Sequence, residues 1–373
     1  MNTAMGIIFA SIYDDNLGDL TNKRTMAAVP YGGRYRQIDF PLSNMTNSGI
    51  RHIGIITKHK HQSLMNHIGS GQEWDLDLEE GGLEFLTPFA LDHNGLYRGK
   101  LDAINSAINF LTISNEEFVV LADSSVLCAI DFREVIENHI ASEADVTVVV
   151  KDGISDGKKH IDMGIKLDES GKVKDIVVET NAKKEYLASM GIFVMRREKL
   201  IEAVKDCVAH DRYQFERDIV LHGFTEENRA VNACVFDGVV LYNESISEYY
   251  ENTLALLDPK VRHGLFNRPN LTIYTKVRDE VPSSYGENSV IDNCLAADGC
   301  VLNGKAENTV FFRGAKLAET AVVRDSIIMQ ETVIGDGADL QYVILDKDVV
   351  VRPGKKLCGT KEHPIVLKRG EIV

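Results

Sequence analysis

Positive charge, paired cysteines and long apolar runs are all scarce in this 373-residue sequence. The 41 lysines and arginines are outnumbered by 56 aspartates and glutamates, for a net charge of −15. That excess gives nucleic acid or an anionic membrane no long-range attraction, although a local basic cluster can still hold a small anion. The six cysteines (Cys128, Cys207, Cys234, Cys294, Cys300, Cys358) include no C-x-x-C pair. With no secretory signal at the N-terminus, reduced thiols in a cytoplasmic protein are expected. No apolar stretch is long enough to cross a bilayer. What remains is an ordinary globular composition, 44% hydrophobic and 26% charged. The length is too great for one small core and suits two domains.

Two periodicities divide the chain. Up to about residue 258, apolar runs alternate with helical patterns. Met5 to Ser11, His52 to Thr57, Glu117 to Asp123, Asp145 to Lys151, Met190 to Met195 and Val239 to Tyr242 read as strands. Several are continuous rather than alternating, as expected when both faces of a parallel sheet are covered. Between them lie helical patterns over Pro41 to Ser48, Gln62 to Ile68, Leu101 to Leu111, Phe132 to His139, Glu198 to Val208, Tyr213 to His222 and Ser247 to Leu257. Ser247 has the chemistry of an N-cap, with Glu248 in the first turn. Such alternation predicts a doubly wound, Rossmann-like α/β domain over 1–258, with ligands at the carboxyl ends of its strands.

Beyond a segment read as a linker, 259–282, the period becomes six. From Thr320 the hexads run TAVVRD, SIIMQE, TVIGDG, ADLQYV. The first column is small (Thr320, Ser326, Thr332, Ala338) and the third aliphatic (Val322, Ile328, Ile334, Leu340). One small and one aliphatic position per rung is the pattern of a parallel β-helix, here over 283–373. Its exposed flank and last rung give a structural reason to expect an oligomer.

The run Val29-Pro30-Tyr31-Gly32-Gly33-Arg34-Tyr35-Arg36-Gln37-Ile38-Asp39-Phe40-Pro41-Leu42-Ser43-Asn44 is the most distinctive in the chain. Matches in the same order follow: Tyr97-Arg98-Gly99 with Asp102-Ala103, Ala188-Ser189-Met190-Gly191-Ile192, Asp218-Ile219 and a C-terminal region ending near Asp346-Lys347. Together they resemble bacterial glucose-1-phosphate adenylyltransferases (ADP-glucose pyrophosphorylases) over nearly the whole chain. The resemblance implies a nucleotidyltransferase domain followed by a left-handed β-helix. It also implies chemistry in which glucose 1-phosphate attacks the α-phosphate of ATP. Such transfers depend on positioning and on charge neutralisation by amides, cations and a divalent metal.

Against that pattern, the residues for handling phosphate are largely missing. The family's glycine-rich loop A-G-G-x-G-T-R-L corresponds to Ala10-Ser11-Ile12-Tyr13-Asp14-Asp15-Asn16-Leu17. No glycine remains, the arginine is Asn16, and two carboxylates stand where phosphates would lie. The phosphate-binding lysine is Met26, whose thioether carries no charge. Of two metal-binding aspartates one persists as Asp123; the other position falls at Tyr242, with Glu244 two residues on as a candidate replacement. One carboxylate alone makes a weak Mg²⁺ site. The sugar-phosphate lysine is absent near Asp175 to Asn181, where Lys183 and Lys184 are the nearest cations, and Lys100 and Leu101 replace small residues that would accept adenine. Ser189, Gly191 and Asp218 remain as a sugar-side remnant.

Lys23, Arg24 and Arg36 match positions where the family binds phosphorylated effectors. The histidines His52, His59, His61 and His67 lack a carboxylate or cysteine pattern for metal, and Trp74 reads as packing. This selective loss resembles the second, regulatory subunit type of the enzyme. The expectation is a cytoplasmic chain with little or no activity and no cofactor of its own. It would assemble with a catalytic subunit that carries Mg²⁺, as a heterotetramer, with self-association also open. Two alternatives stay open: an active nucleotidyltransferase with rearranged catalytic groups, and a stand-alone sugar-phosphate sensor.

Overall fold

The computed structural model describes residues 3–58, 60–87, 97–153, 160–181 and 184–373, so His59 and Lys183 lie outside the described residues. Nine strands form the principal sheet: β1 (Ala4–Phe9), β2 (His52–Ile56), β3 (Gly82–Leu86), β4 (Phe118–Asp123), β5 (Val146–Lys151), β6 (Ile161–Leu167), β7 (Val173–Thr180), β8 (Leu187–Arg196) and β9 (Val231–Val235). Their order is β7-β6-β8-β4-β1-β2-β3, with β5 paired to β8 and β9. β1 lies between parallel neighbours β2 and β4, which is why its run is apolar throughout. Ile8 and Ala10 face one core cluster with Ile38, Leu42 and Phe132. Met5, Ile7 and Phe9 face the other, with Leu101, Ile104, Leu200 and Val204.

Several expectations needed adjustment. β3, β6, β7 and β9 had no matching strand in the sequence reading, because their residues are only partly buried or carry polar groups. The helix expected over Leu101 to Leu111 is two, Lys100–Ser106 and Ile108–Ile113, and the one over Tyr213 to His222 is a π-helix, Phe215–Leu221. The helix Ile246–Ala255 is capped by Ser245, not Ser247: Ser245 Oγ accepts the Glu248 amide at 3.3 Å. The side chain of Glu248 in turn accepts from the Glu244 amide at 3.2 Å, a reciprocal cap. The segment read as a linker begins with a helix, Pro259–Phe266, started by Pro259 and capped by the Asp258 carboxylate.

From Ser284 onward, short strands stack into three five-stranded parallel sheets, a parallel β-helix. The inward residues Leu317, Val323, Ile328, Ile334, Leu340, Leu345 and Val351 form one buried cluster. Their spacing runs six, five and six, so the expected column breaks in the first hexad. Val323, in register with Leu340, faces the core, and Val322 is half-buried. The short side turns at a stacked left-handed corner, Asn293, Asn308, Asp325 and Tyr342, with φ of 45°, 48°, 47° and 51°. There Asn293 donates to Asn308 and Asn308 to Asp325, at 2.7 and 3.1 Å.

The two domains share a core. Leu17, Leu20, Met26, Tyr249 and Tyr250 pack with Val310, Phe312, Ile327 and Ile344, which project outward from one β-helix sheet. Tyr250 donates to the Asp325 carbonyl at 2.5 Å. Arg24 and Asp346, 4% and 0% exposed, form a buried ion pair across the junction.

Candidate functional site

The carboxyl ends of β1 and β2 open on a cavity of about 300 Å³. Its walls carry Ser11 to Tyr13, Lys58, Arg98 to Lys100, Asp162 and Glu216. The residues after β1 wind into a 3-10 segment, Asp14–Thr21. Asp14 accepts the Met26 amide at 2.6 Å, and burial pushes its carboxyl up to about 6 against that bond. A backbone donor is thereby taken by the chain's own carboxylate. Tyr13 reaches across to donate to Asp162, whose carboxyl burial and the neighbouring Glu216 and Glu179 raise to about 7. Asn16 is exposed, and Met26 is fully buried in the core shared with the β-helix.

Asp123 ends β4 in a recess beside this cavity, with Ser189, Gly191, Tyr242 and Glu244. Gly191 sits in a bulge of β8 at φ +62°, and a Cβ there would lie 2.3 Å from Asp123 Oδ2. Only glycine allows both the left-handed conformation and the approach. Ser189 Oγ accepts the Gly191 amide at 3.1 Å, and Tyr242 donates its hydroxyl to the Ser189 carbonyl at 3.2 Å. Burial raises the Tyr242 hydroxyl well above its usual pKa, so it stays a neutral donor. Asp218 is outside the walls of both spaces and caps its own helix, accepting the Gln214 amide at 2.8 Å. Glu216, two residues earlier, takes the place at the cleft.

The residue that sequence reasoning did not connect to Asp123 is Lys100. Its ammonium donates to Asp123 Oδ2 at 2.8 Å and to Glu216. Burial disfavours the ammonium, but these two carboxylates outweigh it and hold the lysine protonated. Burial raises Asp123 to about 6, opposed by Lys100. A divalent metal does not fit this arrangement, because a cation already stands on the remaining aspartate. Among the described residues, no group of three His, Cys, Asp or Glu side chains is placed to hold a metal ion. The histidines are otherwise engaged: His52 with Glu116 at 3.0 Å, His61 with the Lys58 carbonyl at 3.0 Å, and His67 with Asp39 at 2.6 Å. Trp74 is buried, donating to Ser43 Oγ at 3.1 Å.

A second, basic pocket lies at the domain junction. Arg34 and Arg36 come from the first domain, Lys276 and Arg278 from the connecting segment, and Arg313 and Lys347 from the β-helix. Arg36 is held by the Ser63 carbonyl at 2.7 Å. Burial, then Arg36 and Arg24, push the Lys347 ammonium down to about 6. Gln330 Oε1 on the wall and Arg24 Nη1 behind it are buried without partners. Of the three candidate effector residues, Arg36 lines the pocket and Arg24 lies behind it. Lys23 is exposed and outside the wall. The remaining cations are far apart in sequence, and only folding assembles them.

A mixed α/β sheet, parallel around β1 and antiparallel around β8, with a cleft at its strand ends and a β-helix after it, defines a class. Residues 5–240 match the model of the nucleotidyl transferase family, and residues 279–363 match that of the GlmU-like C-terminal hexapeptide. The chain is 33% identical over 373 residues to "Glycogen biosynthesis protein GlgD" of Bacillus subtilis (strain 168), covering 100% of this chain and 97% of that one. It is 34% identical to the protein of the same name from Geobacillus stearothermophilus, again over 100% and 97% of the two chains. To "Glucose-1-phosphate adenylyltransferase" of Fervidobacterium nodosum it is 32% identical over 96% of this chain and 86% of that one. The chain belongs to the nucleotidyl transferase family, with a left-handed β-helix as its second domain, and within that family to the group formed by glucose-1-phosphate adenylyltransferases and GlgD proteins. No helix among the described residues is long and apolar enough to cross a membrane.

Proposed function

We propose that this chain acts in glycogen biosynthesis as a regulatory, catalytically poor subunit of ADP-glucose pyrophosphorylase. It assembles in the cytoplasm with a catalytic chain that carries the Mg²⁺ and forms ADP-glucose and pyrophosphate from ATP and glucose 1-phosphate. The observation that carries this reading is the loop after β1. Its Asp14 carboxylate, next in sequence to the Ser11–Tyr13 wall of the cleft, takes the Met26 amide, where a triphosphate needs donors and cations. The basic pocket gives such a subunit a place to take a phosphorylated effector. Its walls come from both domains, so an anion bound there would favour the docked arrangement.

The test is co-expression with the catalytic subunit from the same genome. A mixed oligomer, a heterotetramer in this reading, should form with an effector response unlike that of the catalytic chain alone. The isolated chain with Mg²⁺ should make little or no ADP-glucose. Turnover by itself in the ordinary enzyme range, about 1 to 1,000 per second, would sink the proposal. So would the absence of both assembly and any kinetic shift.

A further inference from the structure

We infer that Lys100 is a resident cation standing in place of a divalent metal on Asp123, so that the cleft excludes metal by its own side chain. The surroundings of the ammonium support it. The ammonium is buried between Asp123 and Glu216, and the Phe9 and Phe193 rings lie 5.6 and 5.5 Å from it. Carboxylates and aromatic faces are what an ammonium prefers in a dry site.

Two close backbone approaches fix the arrangement from either side. A Cβ on Gly99 would meet the Tyr213 carbonyl oxygen at 2.2 Å, and Leu101 donates to that same oxygen at 3.1 Å. This seats Lys100 against the segment that carries Glu216. On the other side, Gly191 makes room for Asp123. The tether matters most. A metal ion must shed water and find ligands from solution, whereas the lysine is already in place. The second oxygen, Asp123 Oδ1, is buried with no partner, so the carboxylate keeps a free acceptor once the lysine is gone.

The test is Mn²⁺ titration followed by electron paramagnetic resonance on the isolated full chain. The wild-type chain should bind no Mn²⁺ at this site, and Lys100→Ala should gain one ion per chain, at least about tenfold tighter than any wild-type binding. Adding Asp123→Asn to Lys100→Ala should abolish the gain, and Lys100→Arg, which keeps the cation, should stay flat. Lys100→Met preserves the aliphatic stem should the alanine variant misfold. A wild-type Mn²⁺ site removed by Asp123→Asn overturns the inference; so does a natively folded Lys100→Ala and Lys100→Met pair with no gain. The readout involves neither turnover nor a partner. A flat titration therefore leaves the subunit proposal standing, and failure to assemble leaves this inference standing.

Discussion

Arg24 separates structural from ligand-binding roles at the domain junction. In sequence it pairs with Lys23 as one basic cluster, but only Arg24 is buried, against an Asp346 that has no exposure at all. In Arg24→Ala the Asp346 carboxylate loses its cation and keeps the Lys347 amide, at 2.7 Å, as a charge-stabilising donor. Removing one partner of a buried pair costs about 3–5 kcal/mol, because the other charge stays desolvated. Replacing both groups with apolar side chains, Arg24→Met with Asp346→Leu, should return to within about 1 kcal/mol of wild type. The double-mutant cycle closed by the single variants Arg24→Met and Asp346→Leu, each costing about 3–5 kcal/mol, should then show coupling of roughly 5–10 kcal/mol. Lys23→Ala, at an exposed position, should stay within about 0.5 kcal/mol. Urea unfolding monitored by circular dichroism reads every variant, and the shared interdomain core predicts one transition for wild type. The reasoning is refuted if Arg24→Ala behaves like Lys23→Ala, or if the two substitutions at the pair are additive.

Gly191→Ala should lower stability by about 3–5 kcal/mol. A left-handed non-glycine residue costs about 1 kcal/mol, and the new Cβ, 2.3 Å from Asp123 Oδ2, would push that carboxylate off Lys100. A thermal melt with a loss below about 1 kcal/mol would contradict this. In the basic pocket, Lys347 is depressed to about 6, facing Arg36, Arg24, Arg278 and Asp346. Above that pH the native chain lacks a proton that the unfolded chain binds, so this group makes stability rise with pH from about 6 towards its ordinary value. A bound anion restores the charge and takes up a proton, so sulfate affinity should fall as pH rises above about 6, by at most about tenfold per unit. Calorimetry in buffers of different ionisation enthalpy should register the uptake in wild type and lose it in Lys347→Met; equal uptake in both would refute the assignment.

How much could be read in advance depended on range. β1, β2, β4 and β5 were legible because they are continuous apolar runs covered on both faces. β6, interrupted by Asp162 and Lys166, and the half-exposed β7 lack that signature. The hexads announced the β-helix, yet the five-residue side was hidden, because Arg324-Asp325 turns a corner whose left-handed geometry only stacking imposes. The departures from the family's motifs were local and therefore visible: Asp14, Asn16, Met26 and Tyr242 each differ from a motif at a known position.

The sequence by itself determined the two-domain class, the family and the absence of a glycine loop, since periodicity and motif are properties of neighbouring residues. Tertiary structure alone decided which charges meet. It set Lys100 of one loop on Asp123 of a strand end and Glu216 of a third segment. It also sent Arg24 to Asp346 while leaving its neighbour Lys23 in solvent. Charges pair according to distance and burial, and both are fixed only when strands far apart in the chain close over the same space.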